Sequence, residues 1–501
     1  MSHEFDAYDI DELRRRVRGE VHGPGDPGYP SVGFNPAVDR SPAAVVDVLD
    51  ADDIAATVRF AAAHGMTVGV FATGHGGTGL GARSILVRTA ALDTCVVDAA
   101  QRTARVGAGV VWQTVIDAAA PLGLAPLCGS SPTVGVIGYL SGGGIGPLVS
   151  TFGSSVDHVR ALTVVTGDGA VRTATPQENP ELFWGLRGGK ATLGIITEAV
   201  IGLPAISDIY GGAVYFDGAD AAVVIRAWRD WAALLPDEAS TSVALMNLPQ
   251  LPTVPPMLAG RLSVAVRYAS VADAEAAAAV FAPIRAVATP LLDAVGVMPY
   301  AAIGAIHADP PGPMPVRERG GLLTALSDAA VDILVDAVTP PVGQLLPVVE
   351  IRALGGLALS CAGADESALG MRALAGGQLA GALVQLALAW NYAPGWPGLG
   401  ISRKVLRATL GGDRIDITEF QLKGGRGSRA RIAGLSGNRT AAPTDGGTFS
   451  GTGHIRWGPE TDGLSGITPG KIFGVFAFDM YSRTSYIFSL VTLAIVMMLL
   501  L

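Results

Sequence analysis

The chain has 501 residues, of which 49% are hydrophobic and 16% charged, and a formal net charge of −9. At about 150 residues per domain this length predicts more than one domain, and the apolar content excludes a disordered or fibrous protein. The mild acidity argues against nucleic-acid binding, which needs a basic stripe, and three scattered cysteines (Cys95, Cys128, Cys361) exclude a disulfide scaffold or zinc site and read as free thiols in a reducing compartment.

The charged start, MSHEFDAYDIDELRRR, lacks an apolar run and so predicts no secretory signal. Residues 43–64 read as an extended run and then a helix, with Asp52 as N-cap and Ile54, Val58 and Ala61 at helical spacing. TVGVFATG (67–74) is a strand entering a glycine turn. Short strands and turns alternate over 84–109, and 110–123 is an amphipathic helix. Residues 161–175 form a hairpin turning at Gly167-Asp168-Gly169, and 191–204 is a buried strand. A boundary falls at Pro204–Asp208. Beyond it, 261–268 alternates as a half-buried strand with Leu262, Val264, Val266 and Tyr268 on one face. Residues 271–288 and 327–338 are amphipathic helices, 347–356 is a strand carrying Glu350 and Arg352, and 383–392 is strand-like. No internal repeat is visible.

The last stretch differs. Residues 393–501 carry 12 basic and 7 acidic residues and three of the chain's four lysines (Lys404, Lys423, Lys471). Its Gly, Thr and Ser around 434–453 predict loop or disorder. The terminal SYIFSLVTLAIVMMLLL (485–501) has no charge, and at 17 residues is at the short limit for a membrane span. Three readings stay open: a C-terminal anchor with a cytoplasmic body, an aberrant out-of-frame extension, and a buried helix.

The sharpest motif is FATGHGGTGLG (71–81), which contains GxGxxG from Gly74 to Gly79. A dinucleotide fold of the nicotinamide type needs a helix next and an acidic residue about 20 positions on. A strand-like ARSILVRT follows instead, so that reading is rejected. A glycine turn still offers backbone N–H groups to an anion without a helix, and His75 sits in its middle. The second motif, GSSPTVGVIGYLSGGGIGPL (129–148), offers another backbone-lined surface. LRGGKATLG (186–194) fails the phosphate-loop pattern, because Lys190 is followed by Ala191. No GxSxG, HExxH or CxxC is present and the seven histidines are dispersed, which gives metal catalysis no support.

Taken in order, "FATGHGG", "GSSPTVGVIGYLSGGGIGPL" and "DHVRALTVVTGDGAVRTATPQENPELFWGLRGGKATLGIIT" closely resemble FAD-linked oxidases with the vanillyl-alcohol-oxidase (PCMH-type) flavin fold, in the berberine-bridge-enzyme-like subgroup. The resemblance is strong over 38–204 and weaker over 205–356. It implies an α+β protein: a two-subdomain FAD-binding domain (38–204) after an N-terminal segment (1–37), a substrate domain with an antiparallel sheet covered by helices (205–392), an atypical tail (393–484) and the apolar terminus (485–501). It also implies that Phe71, Ala72, Thr73, Gly74, Gly76 and Gly77 cradle the FAD pyrophosphate and that His75 is the covalent flavin link. Ser130, Ser131, Thr133, Gly135, Gly138, Leu140, Gly142, Gly143, Gly144 and Gly146 would line the cofactor. Asp157 would belong to the cofactor domain, and Ile196 would meet the adenine. Many relatives add a second link through a cysteine before the Pro of "PTVG". Ser131 stands there, so a single link is expected, with Cys128 as a remote alternative.

The resemblance implies hydride transfer from a substrate C–H carbon to the flavin while a base removes a proton from an adjacent O–H or N–H. Tyr392 and Glu350 are the candidate bases; Tyr300, His307 and Asp309 gate the pocket or form a surface loop. The expected partners are a small organic substrate and molecular oxygen or another electron acceptor, with no nucleic acid and with membrane contact through 485–501 if that segment is an anchor. Nothing after Tyr392 matches the family's closing segment. The alternative is therefore a non-catalytic flavin-binding or membrane-attached protein whose altered C-terminus has abolished turnover.

Overall fold

The computed structural model describes residues 7–29, 33–77, 79–323, 325–339 and 348–355, and beyond them the strands Ala382–Ala389, Arg407–Gly411, Arg414–Lys423, Arg429–Thr440, Thr448–Trp457 and Gly463–Leu464. The chain divides into two compact units, residues 1–391 and 392–501.

The first unit opens with a four-stranded sheet ordered Glu20–His22, Ala44–Asp47, Ser84–Arg88, Thr67–Phe71. Its last three strands run parallel, which requires a crossover; the helix Ala51–Ala63 supplies it between the second and fourth in space. That helix starts two residues earlier than expected. Asp50, not Asp52, is the N-cap and accepts from the Asp52 and Asp53 backbone N–H groups at 3.0 and 3.2 Å. Asp53 is buried and receives the N–H groups of Arg18, Gly19 and Leu49. Ile54, Val58 and Ala61 do form the apolar stripe, packed with Val46, Ile85 and Val87.

A second, antiparallel sheet follows, ordered Cys95–Asp98, Thr103–Gly107, Gly194–Gly202, Val159–Thr166, Val171–Ala174. The helix Trp112–Ala119 buries Trp112, Val115 and Ile116 against it.

The third sheet is antiparallel, with eight strands. Its order is Leu292–Asp293, Asp208–Asp217, Leu262–Ser270, Ala239–Asn247, Val348–Ala353, Ala382–Ala389, Val316–Leu323, and Gly296–Pro299 also pairs with Asp208–Asp217. Strand side chains alternate between faces, and here the two faces differ in chemistry. One carries Val214, Phe216, Val264, Val266, Tyr268, Val243, Val349 and Ile351 beneath the helices Ala221–Ala232, Ala274–Arg285 and Asp328–Val338. Each fully buried Val or Phe there contributes about 1.5–3 kcal/mol. The other face sets small residues among charged ones. In register across it stand Ala213 and Ser242 on either side of Arg267, and Arg352 opposite Ser242. Glu350 shares that face, two residues from Arg352.

The second unit holds a five-stranded antiparallel meander, from Arg407–Gly411 through Arg414–Lys423, Arg429–Thr440 and Thr448–Trp457 to Gly463–Leu464. This corrects the expectation of loop or disorder where it falls on 434–440 and 448–453; residues 441–447 lie outside the described residues. Gly437 is paired on both sides, to Ile415 and to Gly451, and backbone pairing of this kind does not need the apolar alternation that composition detects. Among the described residues no helix is long and apolar enough to cross a membrane. Tyr392, Cys361 and the segment 485–501 lie outside the described residues.

Candidate functional site

The two glycine loops meet at His75. Thr73 Oγ1 lies 2.9 Å from His75 Nδ1, and Thr133 Oγ1, from the second loop, lies 3.3 Å from Nε2. Ser131 Oγ lies 2.9 Å from Thr133 Oγ1 and extends this hydroxyl chain. The imidazole is half-buried, and burial lowers its pKa against the opposing field of Asp309. It is therefore neutral at pH 7, with one ring nitrogen holding a lone pair. Phe34 stacks on the ring with centroids 3.8 Å apart and planes 13° from parallel. Phe34 N donates to Thr73 O at 2.9 Å, which fixes that stack. Spacing gave no sign of Phe34; its one sequence cue is the preceding Gly33, whose Cα abuts Gly74.

The glycines define a cradle. A Cβ on Gly76 or Gly138 would meet no atom within 4 Å, so both face open space. Gly135 packs against Ala72 and Thr73, which joins the loops, and Gly77 lies against the guanidinium of Arg40, which itself covers Phe71. Gly74 needs its left-handed φ of +74°, and a Cβ there would come 2.7 Å from the Gly33 Cα. Gly142 packs against the Lys190 amine, which donates to Gly138 O at 3.1 Å. Gly146 touches Cys128 O, and Leu140 is buried in the core beneath the loop. Ser130, at the start of the loop, is half-buried, and Gly143 and Gly144 both take positive φ.

Two expected residues have structural tasks. Asp157 Oδ2 accepts the Ser154 N–H at 3.0 Å and closes a capping box. Ile196 is buried and pairs with Val164 within the second sheet. Cys128 is buried, 3.6 Å from the Tyr300 hydroxyl, and burial pushes its thiol up to about 11. The reactive thiolate is thus suppressed, which argues against Cys128 as a tether. Tyr300 is buried and bonded to Pro126 O, so it packs rather than gates.

Glu350 lies at the centre of the polar sheet face. Its Oε1 accepts from Ser242 Oγ at 2.8 Å, Arg267 Nη1 at 2.9 Å and His307 Nε2 at 3.1 Å, and its Oε2 accepts from Arg352 Nη2 at 3.0 Å. Burial opposes ionisation here, but Arg352, Arg267 and His307 overcome it and hold the carboxyl well below its ordinary range. A carboxylate so engaged is a poor proton acceptor, and this corrects the expectation of Glu350 as a base. Arg352 Nη1 also donates to Ile145 O at 3.0 Å, which ties the cluster to the second glycine loop. Sequence reasoning did not find Arg267. It treated His307 as a gate or surface residue, yet His307 is buried at 5% exposure.

Residues 42–175 match a family model described as an FAD binding domain. They are an FAD-binding domain. It is of the PCMH type, and the proteins it is similar to in sequence include FAD-linked oxidoreductases and an (R)-6-hydroxynicotine oxidase. The (R)-6-hydroxynicotine oxidase of Paenarthrobacter nicotinovorans is 31% identical over 191 residues, 37% of this chain and 42% of that protein. An FAD-linked oxidoreductase of Neurospora crassa is 34% identical over 187 residues, 36% of this chain and 37% of its own length. The chain thus spans less than half the length of these two relatives. The similarity in fold extends further than the similarity in sequence. A crystal structure of 6-hydroxy-D-nicotine oxidase from Arthrobacter nicotinovorans superposes with a TM-score of 0.61 over 76% of this chain and 82% of that one, at 22% identity. A Physcomitrella patens BBE-like 1 variant gives 0.64 over 76% and 84%, at 17% identity.

The FAD-binding domain fits its cofactor on the geometry above. Gly76 and Gly138 leave backbone uncovered, and the Arg40 guanidinium beside Gly77 supplies positive charge suited to a pyrophosphate.

Proposed function

We propose that this protein is an FAD-dependent oxidoreductase that oxidises a small organic substrate, with its flavin joined covalently to His75 and molecular oxygen or another acceptor taking the electrons. The observation that carries this reading is the neutral His75 ring at the meeting point of the two glycine loops, hydrogen-bonded by Thr73 and Thr133. Those two hydroxyls orient the imidazole, and Phe34 restricts its rotation. The loops 71–77 and 130–146 would hold the FAD, whose isoalloxazine supplies the hydride-accepting chemistry when bound. Ser131 in place of a cysteine supports a single link. The charged groups of the polar sheet face, Arg267, Glu350 and Arg352, would orient polar substrate atoms.

The relatives named for 6-hydroxynicotine, chitooligosaccharide and glucose oxidation define a first panel of probes. The purified protein is mixed under nitrogen with (R)-6-hydroxynicotine, chitobiose or D-glucose, and its yellow absorbance is followed. The expected result is bleaching by at least one probe and recovery of colour on admitting air. Bleaching by photoreduction alone would favour the non-catalytic flavin-binding alternative.

A further inference from the structure

We propose that His307 is the proton acceptor of this site and that Glu350 is the positioning residue that orients it, an assignment that rests on the oxidoreductase reading above. The argument starts from the Glu350 carboxylate. Two guanidinium groups bond it, so it is ionised and can only accept. The proton between it and His307 therefore belongs to His307 Nε2. The other nitrogen, Nδ1, is then a bare lone pair. It is buried and has no hydrogen-bond partner among the described residues. Buried polar atoms are rarely left so, and this one sits on an imidazole whose far side is fixed by a carboxylate, the arrangement that prepares a histidine to take a proton.

The backbone around it points the same way. Ala308, the next residue, has a φ of +52°, which is costly for a side chain with a Cβ and marks strain kept at a working position. The segment then leads to His75. Gly304 packs on Pro132 of the second glycine loop, the Asp309 carboxylate acts on His75, and Met314 N donates at 2.9 Å to the carbonyl of Phe34, whose ring stacks on His75. One short stretch thus joins the polar sheet face to the candidate flavin histidine.

The step balances without a further reagent. The substrate C–H bond breaks and its electron pair leaves with the hydrogen as hydride to the bound flavin. The adjacent O–H or N–H proton moves to His307 Nδ1, and the electron pair of that bond becomes the new C=O or C=N π bond. Glu350 stabilises the imidazolium. The charged groups acting on His307 are Glu350 and Arg352 from one strand and Arg267 from the strand two places away, while Asp309, from the segment of His307, acts on Arg352 and, with Arg267, on Tyr215. Burial and then Arg267 lower the His307 pKa, with Glu350 opposing. The base form therefore dominates at neutral pH, and the rate rises with pH through a value below about 6.5 and then levels off.

The test compares wild type with His307→Gln, whose amide still donates to Glu350 but cannot accept the proton. Anaerobic flavin bleaching by (R)-6-hydroxynicotine, chitobiose and D-glucose is timed from pH 5 to 9, with photoreduction and flavin content as controls. We expect a loss of about 100-fold or more in substrate-driven bleaching, loss of the acidic limb, and unchanged photoreduction. Bleaching within about threefold of wild type, with the limb intact, would overturn the assignment. Failure of every probe to bleach wild type would overturn the oxidoreductase reading, and the assignment with it. Should the variant lose its flavin, nitrogen NMR of histidine-labelled wild type decides. A proton on Nε2 and none on Nδ1 agrees, and the reverse overturns it.

Discussion

Gly144 has a φ of +80°, and a Cβ there would lie 2.5 Å from the Tyr139 ring and 2.9 Å from Ser155. Gly144→Ala is therefore expected to cost about 1–3 kcal/mol, read as a lower melting temperature together with lower flavin content. The charged residues make a second prediction. His307 has a depressed pKa in the folded state, so below about pH 6.5 the unfolded chain binds a proton that the folded one refuses, and stability falls as the pH drops. Glu350 is depressed as well. Its contribution is present above about pH 4.3 and is lost as pH falls through its lower folded value. Urea unfolding from pH 7.5 down to about pH 3 should thus show a first loss that His307→Gln removes and a later one, beginning at about pH 4.3, that it keeps. His75 could be picked out in the sequence because glycines surround it. His307 could not, because its partner Glu350 and the Ser242 and Arg267 that hold Glu350 come from three strands far apart in the chain.

Among the elements, the helix Ala51–Ala63 shows how a cap is chosen. Asp50, Asp52 and Asp53 are all capping types, and position rather than identity separates them. Asp50 has extended backbone and accepts two N–H groups, while Asp53 points inward to Arg18, Gly19 and Leu49. Asp50→Ala should cost about 1 kcal/mol. Asp53→Ala, which strands three N–H groups, should cost more, and thermal melts of the two variants would rank them. The strand Leu262–Ser270 was legible because Val264, Val266 and Tyr268 alternate. The opposite face was not, because Ala265 and Ala269 give no periodic signal and Arg267 reads as solvated until Glu350 is brought across from Val348–Ala353. The tail strands were missed for a related reason: glycine and threonine within paired backbone look like a loop to a compositional eye.

Across the whole first unit, the FAD-binding domain and the large sheet are stitched by polar bonds. Arg352 reaches Ile145 O, and Ser240 Oγ accepts the Ser150 N–H at 3.1 Å. Arg352→Met breaks a buried pair and releases the second glycine loop, with an expected loss of about 3 kcal/mol and faster proteolysis within 142–148. This coupling explains why the site is only half visible in sequence. Each glycine loop is a local motif, whereas the chemistry facing it is assembled by strand register. The central claim is that His75 carries the flavin, and acid precipitation of purified protein tests it most directly, with His75→Ala in parallel. The account predicts yellow colour in the wild-type pellet and in the variant's supernatant. Colour released from both, or retained by both, would contradict it.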